Sequence, residues 1–89
     1  MEISENGLKL LKFYKEKNYG IAVYAVPAEQ LAWFGNDAVA CEQAQIELEE
    51  VGLLELGDMP PRHFAVSVRG AALTREGLRA VQTLGETAT

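Results

Sequence analysis

Residues 36–52, NDAVACEQAQIELEEVG, decide how the rest of the chain is read. Asn36 or Asp37 can cap a helix with its side-chain oxygen. Gly52 suits the left-handed turn that closes one, so the spacing predicts a helix running to Val51. Ala40, Cys41, Ala44, Leu48 and Val51 recur at helical intervals and form its core stripe. Val39 and Ile46, one heptad apart, share a direction roughly 160° from that stripe by helical geometry. The same helix holds five carboxylates, Asp37, Glu42, Glu47, Glu49 and Glu50, and no lysine or arginine. Two outward apolar side chains with an acidic rim have the composition of a protein contact, not of a phosphate contact. Scattered apolar residues also occur on ordinary surfaces, and that plainer reading stands beside it. Glu47, Glu49 and Glu50 read as a solvated helix face rather than as acid–base groups.

Upstream, Ser4 is placed to cap a first helix over residues 5–17. Ile3, Leu8, Leu11 and Tyr14 recur on one side of it, and Lys9, Lys12 and Glu16 fall largely on the other. Asn18 to Gly20 ends it. The segment IAVYAV, residues 21–26, reads as a short strand of β-branched and aromatic side chains, with Tyr19 and Tyr24 on opposite faces. A helix continuing through Gly20 is the competing reading. Pro27 suits the first turn of a second helix, PAEQLAWF, which Gly35 closes.

Downstream the apolar period changes to two. Residues 53–56, LLEL, read as a strand, GDMPPRH as a loop, and residues 64–69, FAVSVR, as a second strand. Phe64, Val66 and Val68 point one way, and Ala65, Ser67 and Arg69 the other. Thr74 caps a last helix, REGLRAVQTLG, with Leu78, Val81 and Leu84 inward, and residues 85–89 are expected to fray. The pattern is that of an α+β fold, with three helices at its core, a β-hairpin and a C-terminal helix, over one domain spanning 1–89.

Composition agrees with a single small core. The 89 residues are 48% apolar and 24% charged, values of an ordinary globular chain. Cys41 is the sole cysteine, so no intramolecular disulfide forms. The opening MEISENG has no basic segment leading into an apolar one, and GIAVYAV is too short to span a bilayer. A soluble cytoplasmic protein is expected, with no membrane association. The net charge of −5 is unevenly placed. Residues 1–17 carry four lysines against three glutamates, and residues 62–89 four arginines against two glutamates. Residues 18–61 hold eight acidic and no basic side chains, so the molecule is dipolar rather than basic.

Three phrases carry a family resemblance. VPAEQLAWFG resembles the second helix of winged helix-turn-helix proteins, entered from a short strand. ELEEVGLLEL resembles the passage from their third helix into the first wing strand. ALTREGLRAV resembles the Leu-Thr-x-x-Gly segment with which small bacterial regulators of the multiple-antibiotic-resistance-repressor type leave the wing. The resemblance covers nearly the whole chain. It implies a winged-helix transcriptional regulator, a homodimer, with the third helix in the major groove presenting Asp37, Val39, Glu42, Gln43 and Ile46. Gln43 would then pair with adenine. Phosphates would be met by Lys9, Lys12, Lys15 and Lys17 of the first helix and by Arg62, His63 and Arg69 of the wing.

The charges argue differently. DNA affinity comes mainly from neutralising phosphates, and the third helix has the wrong sign for that. DNA binding is therefore expected to be weak. The alternative is a winged-helix interaction module whose acidic third helix is the docking surface, with Val39, Glu42, Gln43, Ile46 and Glu50 and with Tyr24 as interface candidates. A third reading is an accessory subunit whose carboxylates compete for a DNA-binding partner in phosphate-like array. Nothing points to catalysis. His63 is the only histidine and reads as a solvated loop residue, Cys41 as a buried apolar one, and Trp33 with Phe34 as core filling rather than a ligand-stacking pair. No enzyme activity, cofactor or metal is expected.

Overall fold

The computed structural model describes residues 3–57 and 68–86. Its elements are α1 (Glu5–Lys17), α2 (Pro27–Trp33), α3 (Ala38–Glu50), β1 (Leu54–Leu56), β2 (Ala71–Leu73) and α4 (Arg75–Glu86). Local chemistry sets most of these limits. The Ser4 hydroxyl accepts the Gly7 N–H and caps α1, while Asn18 closes it in the left-handed conformation at φ 57°. Pro27 opens α2, and the Asp37 carboxylate accepts the Ala40 N–H at 3.1 Å to open α3. The Thr74 hydroxyl accepts the Gly77 N–H and donates to the Gly52 carbonyl, so one side chain caps α4 and ties it to the end of α3.

The core lies where α1 crosses α3 and α4. Leu10, Leu11, Phe13 and Tyr14 of α1 meet Cys41, Ala44 and Leu48 of α3 and Val81 of α4, with Leu53, Leu54 and Leu73 closing one end. The expected stripe of α3 holds at Cys41, Ala44 and Leu48, while Ala40 and Val51 are half-buried. On α1 the buried side is centred on Leu10, Leu11, Phe13 and Tyr14, and Leu8 is only half-buried. Phe34 is buried and Trp33 half-buried, its indole N–H donating to the Lys9 carbonyl at 2.8 Å. Trp33 extends the aromatic cluster of Phe13, Tyr14 and Tyr19, in which neighbouring rings pack edge-on, and Phe34 belongs to the same core.

One expected strand is corrected, and another falls largely outside the described residues. β1 pairs antiparallel with β2, in the register Leu54↔Leu73, Glu55↔Ala72 and Leu56↔Ala71. Phe64 to Ser67 lie outside the described residues; Val68 is buried, and Val68 to Gly70 form no strand. At Arg69 the backbone N–H and carbonyl are both taken by glutamine side chains rather than by a strand partner. The alanines of β2 suit their place: Ala71 and Ala72 are fully buried, and Ala71 accepts the Tyr14 hydroxyl.

The expected strand over residues 21–26 is reduced to two isolated bridges, Ile21↔Leu73 and Ala25↔Ala71, on the other edge of β2. Between them Ala22 adopts a left-handed conformation, φ 64°, which a regular strand does not allow. At the far end of the sheet α4 approaches β1 so closely that a Cβ on Gly77 would lie 1.9 Å from the Leu53 carbonyl oxygen. Only glycine fits there. No helix among the described residues is long and apolar enough to cross a membrane.

Candidate protein-docking surface

The outer side of α3 follows from the packing of its inner side. With Cys41, Ala44 and Leu48 fully buried, helical geometry turns Val39, Gln43, Ile46 and Glu50 away from the core. Val39 is 64% and Ile46 42% exposed, and Gln43 and Glu50 are exposed beside them. Glu42 and Glu49 border this face on one side, the first half-buried and the second exposed.

The carboxylates of the helix divide into two groups. Asp37 is spent on its own cap. Glu47, expected on a solvated face, is instead half-buried against the start of α1, where it accepts the Ser4 N–H at 3.1 Å and the Ser4 hydroxyl at 2.7 Å. The positive end of the α1 dipole favours a carboxylate there. Gly7 makes room for it, since a Cβ at that position would stand 2.3 Å from Glu47 Oε1. Glu42, Glu49 and Glu50 have no hydrogen-bond or ion-pair partner among the described residues, where the one ion pair is Arg79 with Glu76 at 3.7 Å.

The flank of α3 nearest β2 carries a feature that sequence reasoning missed. Gln45 and Gln30 are fully buried. The Gln45 amide donates to Gln30 Oε1 at 2.6 Å and to the Arg69 carbonyl at 2.8 Å, and its oxygen accepts the Arg69 N–H at 3.1 Å. Gln30 in turn donates to the carbonyls of Ala25 at 2.9 Å and Arg69 at 3.0 Å. Four segments are thereby joined: α3, α2, the residues before α2, and the approach to β2. No buried side-chain polar atom among the described residues lacks a partner. The available signal was Gln45 itself, a polar residue one turn from Cys41 and from Leu48 on the apolar stripe.

The remaining candidates are dispersed. Tyr24 belongs to the segment before α2, 46% exposed, with its ring over Gly57, where a Cβ would meet Tyr24 Cδ2 at 3.4 Å. Ile21, Val23 and Val26 of that segment are also about half exposed, making a second apolar surface. Tyr19, by contrast, is half-buried and donates to Glu29 at 2.6 Å, which pushes its hydroxyl pKa up. Of the proposed phosphate contacts, Lys12 is exposed on α1, and Lys9 Nζ lies 5.2 Å from the centre of the Phe34 ring. Arg69 is half-buried, and Arg62 and His63 lie outside the described residues. Among the described residues no group of three His, Cys, Asp or Glu side chains is placed to hold a metal ion.

No family model, curated protein or solved structure matches the chain.

Proposed function

We propose that the chain is a small, non-enzymatic winged-helix-type domain that works by docking another protein on the outer face of α3. The order of elements, with an edge segment beside β2 and β2 beside β1, supports that architecture. One observation carries the function: Val39 and Ile46 stand exposed among Glu42, Glu49 and Glu50, on a helix without a single cation. A phosphate backbone is repelled by such a face, whereas a protein surface can cover its apolar side chains. The buried thiol of Cys41 fits a reducing, cytoplasmic setting.

The test is a titration of random and genomic duplexes followed by fluorescence anisotropy. Binding at physiological salt should be no tighter than roughly micromolar and without sequence preference, where specific factors reach about 10⁻⁸ M or better. Nanomolar, sequence-selective binding abolished by Gln43→Ala would restore α3 as a DNA-reading helix. A second reading, a dimeric transcriptional regulator that grips DNA outside α3, is favoured by the exposed Lys9, Lys12, Lys15 and Lys17 of α1. It expects a salt slope near about −0.9 per phosphate contact.

A further inference from the structure

We infer that the outer face of α3 takes a cationic amphipathic helix of a partner protein, packed along it in coiled-coil fashion; this rests on α3 being a docking face. The spacing is the first ground. Val39, Gln43, Ile46 and Glu50 follow one another at intervals of four, three and four residues, which is the alternation that keeps a seam facing a second helix. Val39 and Ile46 then occupy equivalent seam positions one heptad apart, and Glu42 and Glu49 occupy equivalent flanking positions, again one heptad apart. Flanking charges of this kind choose the partner by sign.

Charge supplies the second ground. Glu42, Glu49 and Glu50 are without partners among the described residues, whereas Asp37, Glu47 and Glu29 are all engaged. Glu49 and Glu50 also stand in the last turn of α3, where no basic residue offsets them. The carbonyl end of a helix favours cations, so these carboxylates oppose the local field. A lysine or arginine arriving opposite them relieves both their mutual repulsion and their clash with the helix dipole.

Among the described residues, no helix of a second copy fits this description. The exposed lysines of α1 are accompanied on their solvent side by Glu5 and Glu16, with no exposed apolar residue to cover Val39 or Ile46. On α4 the exposed side chains among those described are Arg75, Glu76, Arg79, Gln82 and Thr83, and Leu78, Val81 and Leu84 pack against the core. α2 has no cation at all. The seam therefore calls for a helix from another protein, with apolar residues at its own seam and lysine or arginine beside them.

Three synthetic peptides of about three heptads each test this against the ¹⁵N-labelled full chain. One has a leucine seam flanked by lysine and arginine, one the same seam flanked by glutamate, and one the same cations around a polar seam. The first should shift the amides of Val39, Gln43 and Ile46 saturably and bind at least about tenfold more tightly than either control, the loss expected when a seam or its charges are removed. Ile46→Asp, and separately the pair Glu42→Gln with Glu49→Gln, should each weaken it about tenfold while leaving the folded spectrum intact. Equal response to the basic and acidic peptides, no response to any, or binding that survives Ile46→Asp would overturn the assignment of a cationic helix. Those outcomes would leave α3 open as a docking face for other proteins. Selective duplex binding lost on Gln43→Ala would overturn both readings together.

Discussion

Gln45 is the residue on which the helices and the approach to β2 depend together. Its fully buried amide answers the Arg69 N–H, the Arg69 carbonyl and Gln30 Oε1 at once. Gln45→Leu keeps the size but orphans the Arg69 N–H and Gln30 Oε1. Each abandoned buried group costs about 1–3 kcal/mol, and urea unfolding should show the loss as a lower midpoint. An unchanged midpoint would mean that water reaches the site. Cys41 makes a different prediction. Burial pushes its thiol up to about 11 from an ordinary 9.0. The unfolded chain then loses this proton first, so the associated stability is intact below pH 9 and disappears as pH rises from 9 to 11. Burial also pushes the Tyr14 hydroxyl up, and the charge of an ionised Cys41 adds to that shift, so Cys41→Ala removes its own contribution and eases that of Tyr14 in the same direction. The variant's unfolding midpoint should fall less steeply across that window; parallel curves would refute the account. Cys41 was legible in the sequence as a core residue, because its neighbours on the stripe are apolar. Gln45 was not, because its chief partner is backbone 24 residues away, and no local pattern encodes that.

At the scale of elements, helix starts were readable from the side chains that cap them, Ser4, Asp37 and Thr74, and from the proline in the first turn of α2, Pro27. Strand pairing was not readable in the same way. β2 is Ala71 to Leu73, a segment without β-branched side chains that is placed by burial beneath Tyr14 and beside Ala25 rather than by β-propensity. The segment 21–26 has the composition of a strand but bends at Ala22. α3 is anchored through Leu48, which is fully buried among residues of α1 and β1. Leu48→Ala should cost about 2–5 kcal/mol if the site cannot collapse around the cavity. A measured loss below about 1 kcal/mol would show that α3 does not lean on this side chain.

For the whole molecule the edge of the sheet bears on how many copies assemble. Ile21, Val23, Tyr24 and Val26 are each about half exposed on one short segment at the edge of the sheet. An apolar edge of that kind is commonly covered in solution. Sedimentation at high micromolar concentration should give twice the chain mass of 9.7 kDa. Val23→Lys with Val26→Lys should return it to a monomer, whereas Ile46→Asp should leave the dimer alone. A monomer throughout would remove the segment from the list of interfaces. Loss of the dimer on Ile46→Asp would move the contact to α3 and compete with the helical partner proposed there. The charge map that led to α3 was fully legible beforehand, since it needs only residue order. Its division into engaged and idle carboxylates was not, because Ser4 meets Glu47 across 43 residues of chain.

The glutamine junction has a practical consequence for following any of these events. The chain has four glutamines, of which Gln43 and Gln82 are exposed and Gln30 and Gln45 buried. The side-chain NH₂ resonances of the buried pair should be displaced from the other two and slow to exchange with deuterium. Because Gln45 directly precedes Ile46, those resonances form a built-in spectroscopic gauge. A ligand settling on α3 would be heard in the amides of Gln45 and Gln30, inside the core, without any foreign probe being attached.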